Sequence, residues 1–250
     1  MVLRNKDVSN YFIPHKLKVG DITHLSDKDS EFVTSKKLFN VEELIQVSNL
    51  DGIFWARVTN IGKTSVEIEI VEKISDVKLK KDNFSITVIQ SISNDVKFNF
   101  FLEKAVEVGV NKIVPIESRY SLLPKKKAIK KFATWKKIIQ DAKEQSRNPY
   151  DIEIEKPIHI KNLERIDSKY KLCFATETKK PLSLKNALLK KEPNSNFTIA
   201  IGPERGWSVC DLEIFEKLNF EFVKLNGNIL RTETTGLVIA SILNFRAGNY

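Results

Sequence analysis

The stretches FTIAIGPERGWS (residues 197–208) and FVKLNGNILRTETTG (residues 222–236) decide the fold of this chain. Each opens with an apolar run typical of a buried strand and continues into glycine, proline, asparagine and hydroxyl residues. A buried strand that ends in such a loop exposes backbone N–H and C=O groups, which can bind a small ligand without dedicated side chains. Two such loops so close in the sequence predict one composite pocket.

The GPERGWS loop (residues 202–208) has two interpretations on its local pattern alone. Its two glycines permit backbone geometry that is closed to other residues, and its closing serine has the capping-box spacing with Asp211. These features suit a tight turn from strand to helix. The alternative is a ligand loop, because Glu204 places a carboxylate at the end of a strand. The glycine spacing G-x-x-x-G matches neither a phosphate loop nor the dinucleotide fingerprint.

The NGNILR loop (residues 226–231) begins with Asn-Gly-Asn, which by itself is a common hairpin signal. Its continuation does not fit a hairpin, because threonines follow it and then a helix over residues 234–245 that is apolar on nearly every face. We expect that helix to be buried on all sides, within the fold or against a second subunit. Arg231 then lies at a buried helix terminus, where an arginine usually has an anionic partner. Capping alone would also explain the threonines.

The first part of the chain, residues 1–73, is predicted to be a small β-barrel. IFWARVTNI (residues 53–61) and TSVEIEIVEKI (residues 64–74) have the pattern of a hairpin, and VGDITHL (residues 19–25) resembles another strand. The polar segment KISDVKLKKD, residues 74–83, is the expected linker to the next domain.

The second part, residues 84–250, alternates between strand and helix patterns. FSITVIQSI (residues 84–92) and KIVPIE (residues 112–117) are predicted strands, and helices are expected over residues 98–110 and 129–146. The alternation continues through residues 172–176, 183–189, 197–201, 209–218, 222–225 and 234–245. The short connections between these segments predict an α/β domain with a mostly parallel sheet.

The composition is that of a basic globular protein. Lys and Arg total 41 against 32 Asp and Glu, which gives a net charge of +9 and favours polyanions, nucleic acid first. Lysines that merely cover the surface are the alternative. Cys173 and Cys210 are interpreted as buried reduced thiols, the histidines have no metal-ligand spacing, and we expect no metal. Because no signal peptide or membrane span is visible, the predicted location is the cytoplasm.

Taken together, GPERGWS and LNGNILRTETT resemble the paired C-terminal motifs of the SPOUT class of RNA methyltransferases. More narrowly, they resemble the RsmE family, which methylates N3 of a uridine in 16S small-subunit ribosomal RNA. The family pattern reads roughly G-P-E-G-G-[FW]-S, then L-G-x-x-I-L-R-T-E-T-A. The resemblance extends upstream to residues 101–121 and 135–148, covers most of residues 84–247, and is fainter in the N-terminal part. The string ILRTET beside GPE is highly specific.

The resemblance implies a fold, a cofactor and partners. The domain over residues 84–250 would be a parallel α/β sheet whose C-terminal segment is threaded into a trefoil knot, an exception to the rule against knots. Residues 1–73 would be a PUA-like RNA-binding barrel. The enzyme would work as a homodimer on small-subunit ribosomal RNA or the assembled 30S subunit, with S-adenosylmethionine as the cofactor.

The resemblance also assigns site residues. Those expected to hold S-adenosylmethionine are Thr176, Glu177, Ile201, Gly202, Pro203, Glu204, Gly206, Leu225, Asn226, Ile229, Leu230, Thr232 and Thr234. The RNA contacts are predicted from charge instead: Lys125, Lys126, Lys127 and Arg147 belong to a lysine-dense stretch around the helix over residues 129–146, which is expected to contact RNA phosphates together with Arg205. A solvated helix face is the alternative for the lysines.

The chemistry places two residues in catalytic roles. Uridine N3 is a weakly acidic imide nitrogen, which must lose its proton and be unpaired or flipped out to react. Because methyl transfer from a sulfonium is an in-line displacement, catalysis rests on positioning and electrostatics. We assign Arg231 to stabilising the uracil anion or a nearby phosphate, and Glu204 to orienting the target or accepting a proton. Either residue could instead serve a dimer interface.

The chain departs from the family pattern at several positions. Arg205 stands where the family usually has glycine, so a positive φ there would cost about 1 kcal/mol. Thr235 replaces a usual alanine, the EQSRN segment (residues 144–148) is one residue shorter, and residues 91–98 keep little of the family's lysine-containing loop. The rival functions are a SPOUT methyltransferase acting on another RNA site, a non-catalytic RNA-binding module and a nucleotide-binding enzyme. The missing Gly-Lys-Ser/Thr disfavours the last.

Overall fold

A computed structural model describes residues 10–49, 51–75, 83–146, 148, 150, 152–164, 166–178 and 180–249. Most of the expected linker, residues 76–82, lies outside this part of the chain, and so does Arg147. The chain divides into two compact units, Met1–Leu79 and Lys80–Tyr250. No helix in the described ranges is both long and apolar enough to cross a membrane.

The N-terminal unit is built on one sheet. Its elements are β1 (Asn10–Phe12), β2 (Ile22–His24), α1 (Asp27–Lys36), β3 (Leu44–Ser48), β4 (Ile53–Ile61) and β5 (Val66–Ser75). Within the described residues the strand order is β1-β3-β4-β5-β2. The predicted hairpin is confirmed, because β4 and β5 pair antiparallel and the Gly62 N–H donates to the Ser65 carbonyl at 2.8 Å. Alternate residues of both strands point into the core, since side chains alternate between the faces of a sheet.

The C-terminal unit alternates strands and helices. Its strands are β6 (Ser85–Ser91), β7 (Lys112–Glu117), β8 (Glu153–Ile154), β9 (Ile158–His159), β10 (Tyr170–Phe174), β11 (Leu182–Ser183), β12 (Asn196–Ile201) and β13 (Glu221–Lys224). Its helices are α2 (Asp95–Glu107), α3 (Lys125–Ser146), α4 (Leu184–Leu188), α5 (Val209–Lys217) and α6 (Thr232–Ala247), with a 3-10 turn at Ile160–Asn162.

These strands form a sheet in the order β11-β13-β10-β12-β6-β7-β8, with β9 also paired to β7. Every pairing among the described strands is parallel. The predicted α/β domain with a parallel sheet is therefore confirmed. The strands β8, β9 and β11 were not predicted, because each contains two residues and leaves no detectable alternation.

The central strands are buried on both faces. Val88 and Ile199 pack in a core with α2, α3 and α6, whereas their neighbours Ile89 and Ala200 pack in a core with α5. Continuous apolar runs such as FTIAI follow from this arrangement, because both faces of a parallel sheet are covered. Cys173 lies in the second core, and burial raises the pKa of its thiol, so that cysteine is a protonated packing residue.

Several boundaries and burial predictions require correction. Cys210 is exposed, because it occupies the outward side of the first turn of α5. The helix α2 begins three residues earlier than predicted, since Asn94 caps it by accepting from the Lys97 N–H. The helix α3 begins at Lys125 and so includes the lysine run. In the single chain α6 leaves Phe245 71% exposed, so its predicted burial on all sides stays a prediction that requires a second subunit.

Candidate functional site

The two loops that decide the fold lie at the same edge of the C-terminal sheet. The GPERGWS loop follows β12 and the NGNILR loop follows β13, and these two strands pair with opposite sides of β10. Because all three strands are parallel, their carboxyl ends meet at one edge, where open α/β sheets bind ligands. A cavity of about 670 Å³ lies there, and residues of both loops line it.

The cavity collects most of the residues predicted to bind the cofactor. All of them line it except Asn226 and Thr234. Asn226 lines a second, mainly apolar cavity of about 550 Å³ between α4 and α6, and Thr234 is half-buried in the first turn of α6. Gly227 and Asn228 of the NGNILR loop also line the first cavity. Lining residues that the sequence did not single out for this role are Lys97, Phe174, Ala175, Val223, Lys224 and Thr235.

A buried hydrogen-bond chain joins the two sides of the cavity. The Gln90 Nε2 donates to the Thr232 hydroxyl at 3.0 Å, and that hydroxyl donates to the Gly202 carbonyl. Gln90 and Thr232 are both buried. The chain therefore ties the end of β6 and the start of α6 to the first residue of the GPERGWS loop. Gln90 was missed, although a polar residue inside the apolar run FSITVIQSI is a detectable signal.

Glu177 and the glycine at position 206 shape the GPERGWS loop together. The Trp207 N–H donates to Glu177 Oε1 at 3.3 Å, and the Trp207 indole N–H donates to the Phe174 carbonyl at 2.9 Å. Gly206 has a φ of +74°, and a Cβ at this position would lie 1.6 Å from Glu177 Oε1. The positive φ therefore favours glycine there, and a larger residue would also displace the Glu177 carboxylate.

The expectation of strain at Arg205 is wrong. The loop places its left-handed residue at Gly206, and Arg205 is not among the described residues with positive φ. The Arg205 guanidinium instead lies over the ring of Tyr120, 4.9 Å from its centroid. The capping box predicted at the end of the loop is confirmed, since Ser208 and Asp211 exchange hydrogen bonds with each other's backbone N–H groups.

Charged side chains surround the mouth of the cavity. Glu204 forms an ion pair with Lys97, which comes from the first turn of α2. Arg231 lines the cavity as the residue before α6 and makes no side-chain cap. Contrary to the sequence interpretation, Arg231 is exposed, and within the described part of the chain no carboxylate lies within 4.0 Å of it. Its guanidinium is therefore available to an anionic ligand.

The predicted RNA-contacting lysines occupy the first turn of α3. Lys126 and Lys127 are exposed and Lys125 is half-buried. The first turn contains no acidic residue, although the positive end of the helix dipole favours one. This unfavourable placement of three positive charges would be relieved by a bound anion. Arg147 lies outside the described residues.

Comparison with known proteins identifies the family. Residues 80–244 match the RNA methyltransferase domain family. The ribosomal RNA small subunit methyltransferase E of Aquifex aeolicus (strain VF5) is 29% identical over 238 residues, covering 91% of this chain and 92% of the relative. The ribosomal RNA small subunit methyltransferase E 2 of Borreliella burgdorferi is 30% identical over 176 residues, covering 68% of this chain and 69% of the relative.

A solved structure agrees with these matches. A ribosomal RNA small subunit methyltransferase E from Neisseria gonorrhoeae, crystallised with S-adenosyl methionine, superimposes with a TM-score of 0.72. It is 27% identical in sequence, and the match covers 94% of this chain and 96% of that chain. The chain therefore belongs to the RNA methyltransferase domain family and, within it, to the ribosomal RNA small subunit methyltransferase E family.

Proposed function

We propose that the chain transfers a methyl group from S-adenosylmethionine to N3 of a uridine in 16S small-subunit ribosomal RNA. The observation that carries this proposal is the cavity that the two family motifs line together. Relatives that match nearly the whole chain bear the name of a ribosomal RNA methyltransferase, and one related structure contains the methyl donor. S-adenosylmethionine supplies an electrophilic methyl group bound to a sulfonium.

The cavity suits this cofactor in size and chemistry. Its volume of about 670 Å³ is within the usual range of cofactor sites. Ile201, Leu225 and Leu230 offer apolar contacts for a purine ring, with backbone groups of both loops beside them. Glu177 and the Thr176 hydroxyl offer polar partners for ribose hydroxyls. We propose that the other residues predicted to bind the cofactor also contact it. Asn226 and Thr234 would do so through their backbone groups.

The charged residues at the mouth suit the methyl acceptor. Uracil becomes an anion when N3 loses its proton, and Arg231 offers an exposed guanidinium on the cavity wall to stabilise that charge. Glu204 also lines the cavity, where it can orient the uracil N3–H or accept its proton. Lys97 holds the Glu204 carboxylate in place through their ion pair.

The wider architecture is part of the proposal. After β12 the chain forms β13 beyond β10 and then returns as α6, which contacts β12, β6 and α2. This return supports a trefoil knot in the domain over residues 84–250. Residues 1–73 would be a PUA-like RNA-binding domain joined by the predicted linker 74–83, whose first two residues still belong to β5. The protein would act in the cytoplasm. Lys125, Lys126, Lys127, Arg147 and Arg205 would contact the RNA, while the uncovered face of α6 supports a homodimer.

The first test combines calorimetry with mapping of the modified nucleotide. We expect the purified chain to bind S-adenosylmethionine and to methylate one uridine of either the 30S subunit or free 16S ribosomal RNA. Because N3 methylation blocks base pairing, reverse transcription should stop at the modified uridine. Binding without methylation would favour a non-catalytic RNA-binding module, and a stop at another kind of base would favour a different RNA site. No binding would refute the proposal.

The second test concerns Arg231. We expect Arg231→Ala to lower the methylation rate by about 100-fold or more while calorimetry shows the cofactor affinity little changed, because the guanidinium acts on the acceptor. Lys217→Ala, on the surface of α5, is the control for removal of a positive charge. Methylation at the wild-type rate in Arg231→Ala would remove this residue from the mechanism.

A further inference from the structure

Arg205 does not line the cavity, although its neighbours Glu204 and Gly206 do. The Arg205 side chain contacts Tyr120 instead of the cavity, and its guanidinium lies over the Tyr120 ring. Arg205 is exposed and Tyr120 is half-buried. The pair therefore stands just outside the cavity mouth, next to the residue that we propose orients the methyl acceptor.

The segment that holds Tyr120, residues 118–121, is fixed by hydroxyl groups. The Ser118 N–H donates to the Ser121 hydroxyl at 2.9 Å, and the Ser91 hydroxyl is 2.8 Å from the hydroxyls of both Ser118 and Ser121. Ser91 ends β6, so this turn is tied to the sheet edge beside the cavity. The Tyr120 ring is therefore presented from a rigid support.

One carboxylate also joins this segment to the GPERGWS loop. Asp211 Oδ2 accepts from the Ser208 N–H at 3.0 Å and from the Arg119 N–H at 3.4 Å. The last residue of the loop and the residue before Tyr120 thus share one buried acceptor. The contact between Arg205 and Tyr120 is consequently built into the fold at both ends.

Arg205 is well suited to meet a further planar group. Within the described ranges no carboxylate lies within 4.0 Å of the Arg205 guanidinium. The neighbouring carboxylate, that of Glu204, pairs with Lys97. A planar guanidinium that rests on an aromatic ring keeps its other face for a second stacking partner, such as an unstacked RNA base. Its N–H groups remain able to donate in the plane of the guanidinium.

We infer that Tyr120 and Arg205 form a stacking platform for the base of the RNA nucleotide that adjoins the target uridine. This inference rests on the proposed function. A uridine that enters the cavity must leave its stack, and its neighbour then loses a stacking partner. The platform stands beside the mouth, where it replaces that lost partner. Tyr120 is a positioning residue here, and Arg205 is the group that touches the base.

The experiment measures RNA affinity at fixed salt by fluorescence anisotropy. The probe is a labelled single-stranded RNA with one uridine in a cytidine context, with S-adenosylhomocysteine present at saturation. We expect Arg205→Lys and Tyr120→Leu each to weaken binding by about five-fold or more, because stacking is lost while the charge is kept. Tyr120→Phe keeps the ring and should bind as the wild type does. Arg119→Lys is the matched control on the same segment.

Two abasic probes identify the stacked base, one with the 5′ neighbour of the uridine removed and the other with the 3′ neighbour removed. One of them should bind the wild type about five-fold less tightly, and Arg205→Lys should cause no further loss on that probe. Wild-type affinity in Arg205→Lys and Tyr120→Leu, or equal losses on intact and abasic probes, would overturn the inference. A failure to methylate, with these affinity changes intact, would count against the proposed function alone.

Discussion

At the scale of single residues, the hydrogen bonds of Thr232 determine how the two family loops meet. The Thr232 hydroxyl accepts a hydrogen bond from Gln90 Nε2 and donates one to the Gly202 carbonyl, so it connects the two groups. Gln90 and Thr232 are buried and Gly202 is half-buried. Removing the central hydroxyl therefore takes away the donor to the Gly202 carbonyl and leaves the Gln90 amide with its longer bond to the Ser91 carbonyl, at 3.4 Å. Removing Gln90 leaves the second bond intact. The two changes therefore differ in cost.

We expect Thr232→Val to lower the free energy of unfolding by about 1–3 kcal/mol and Gln90→Leu by about 1 kcal/mol. Thr232→Ser keeps the hydroxyl and should stay close to the wild type. Urea denaturation gives the stabilities, and calorimetry should show a matching order in the loss of affinity for S-adenosylmethionine. Equal stability of Thr232→Val and Thr232→Ser would show that the hydrogen-bond chain contributes nothing.

Arg205 shows which residue-level features the sequence predicts and which it does not. The motif identified the loop as a candidate ligand-binding loop, because glycine, proline and carboxylate residues at the end of a strand can be recognised directly in the sequence. It could not say which residue takes the positive φ, since two adjacent positions were open to it. The structure places the positive φ at Gly206, where the Glu177 carboxylate also occupies the space of a Cβ. The partner of Arg205, Tyr120, is distant in the sequence and had no signal.

At the scale of secondary structure, the lysines in the first turn of α3 are expected to favour RNA binding and to lower the stability of the helix. Three lysines at the positive end of the helix dipole each cost stability, and the first turn has no acidic residue to offset them. An RNA phosphate at this turn would favour the same charges. Stability and affinity should therefore respond in opposite directions to charge reversal.

We expect the triple substitution of Lys125, Lys126 and Lys127 by glutamate to weaken RNA binding and to reduce the slope of log affinity against log salt by about 2. The same variant should gain about 1–3 kcal/mol in the free energy of unfolding, since glutamates suit the first turn. Lys137→Glu, in the middle of the helix, is the control and should change stability little. Unchanged RNA affinity in the triple variant would identify the lysines as a solvated surface.

Long elements were predictable and short ones were not, for a physical reason. The strands β6, β7 and β12 are buried on both faces, so their apolar runs stand out in the sequence. The two-residue strands β8, β9 and β11 exist through pairing with neighbours that only the fold brings together. The helix α1 and the strand β3 in the N-terminal unit were also missed, since α1 buries only Ser30 and Val33.

At the scale of the whole molecule, the exposed apolar residues of α6 are the feature that favours a homodimer. The sequence predicted α6 to be buried on every side, within the fold or against a second subunit. In the single chain Phe245 is 71% exposed, and Val238 and Ile242 are half-buried. One face of α6 packs against α2 and the sheet. The sequence cannot distinguish burial within the fold from burial against a partner, because both select the same apolar residues. The apolar residues on the other face suit a homodimer interface.

We expect sedimentation velocity to give a mass near twice the 28.7 kDa of the chain. Phe245→Lys should raise the dimer dissociation constant by about tenfold or more, since each dimer buries this side chain twice and a lysine there would be desolvated. Phe32→Lys, on an exposed phenylalanine of α1, applies the same change in the other compact unit and should leave the mass unchanged. A wild-type mass of one chain at micromolar concentration would contradict the dimer. If Phe245→Lys is a folded monomer that still binds S-adenosylmethionine, the cofactor cavity is complete within one chain. Any loss of methylation in this variant would then show that RNA binding requires the dimer.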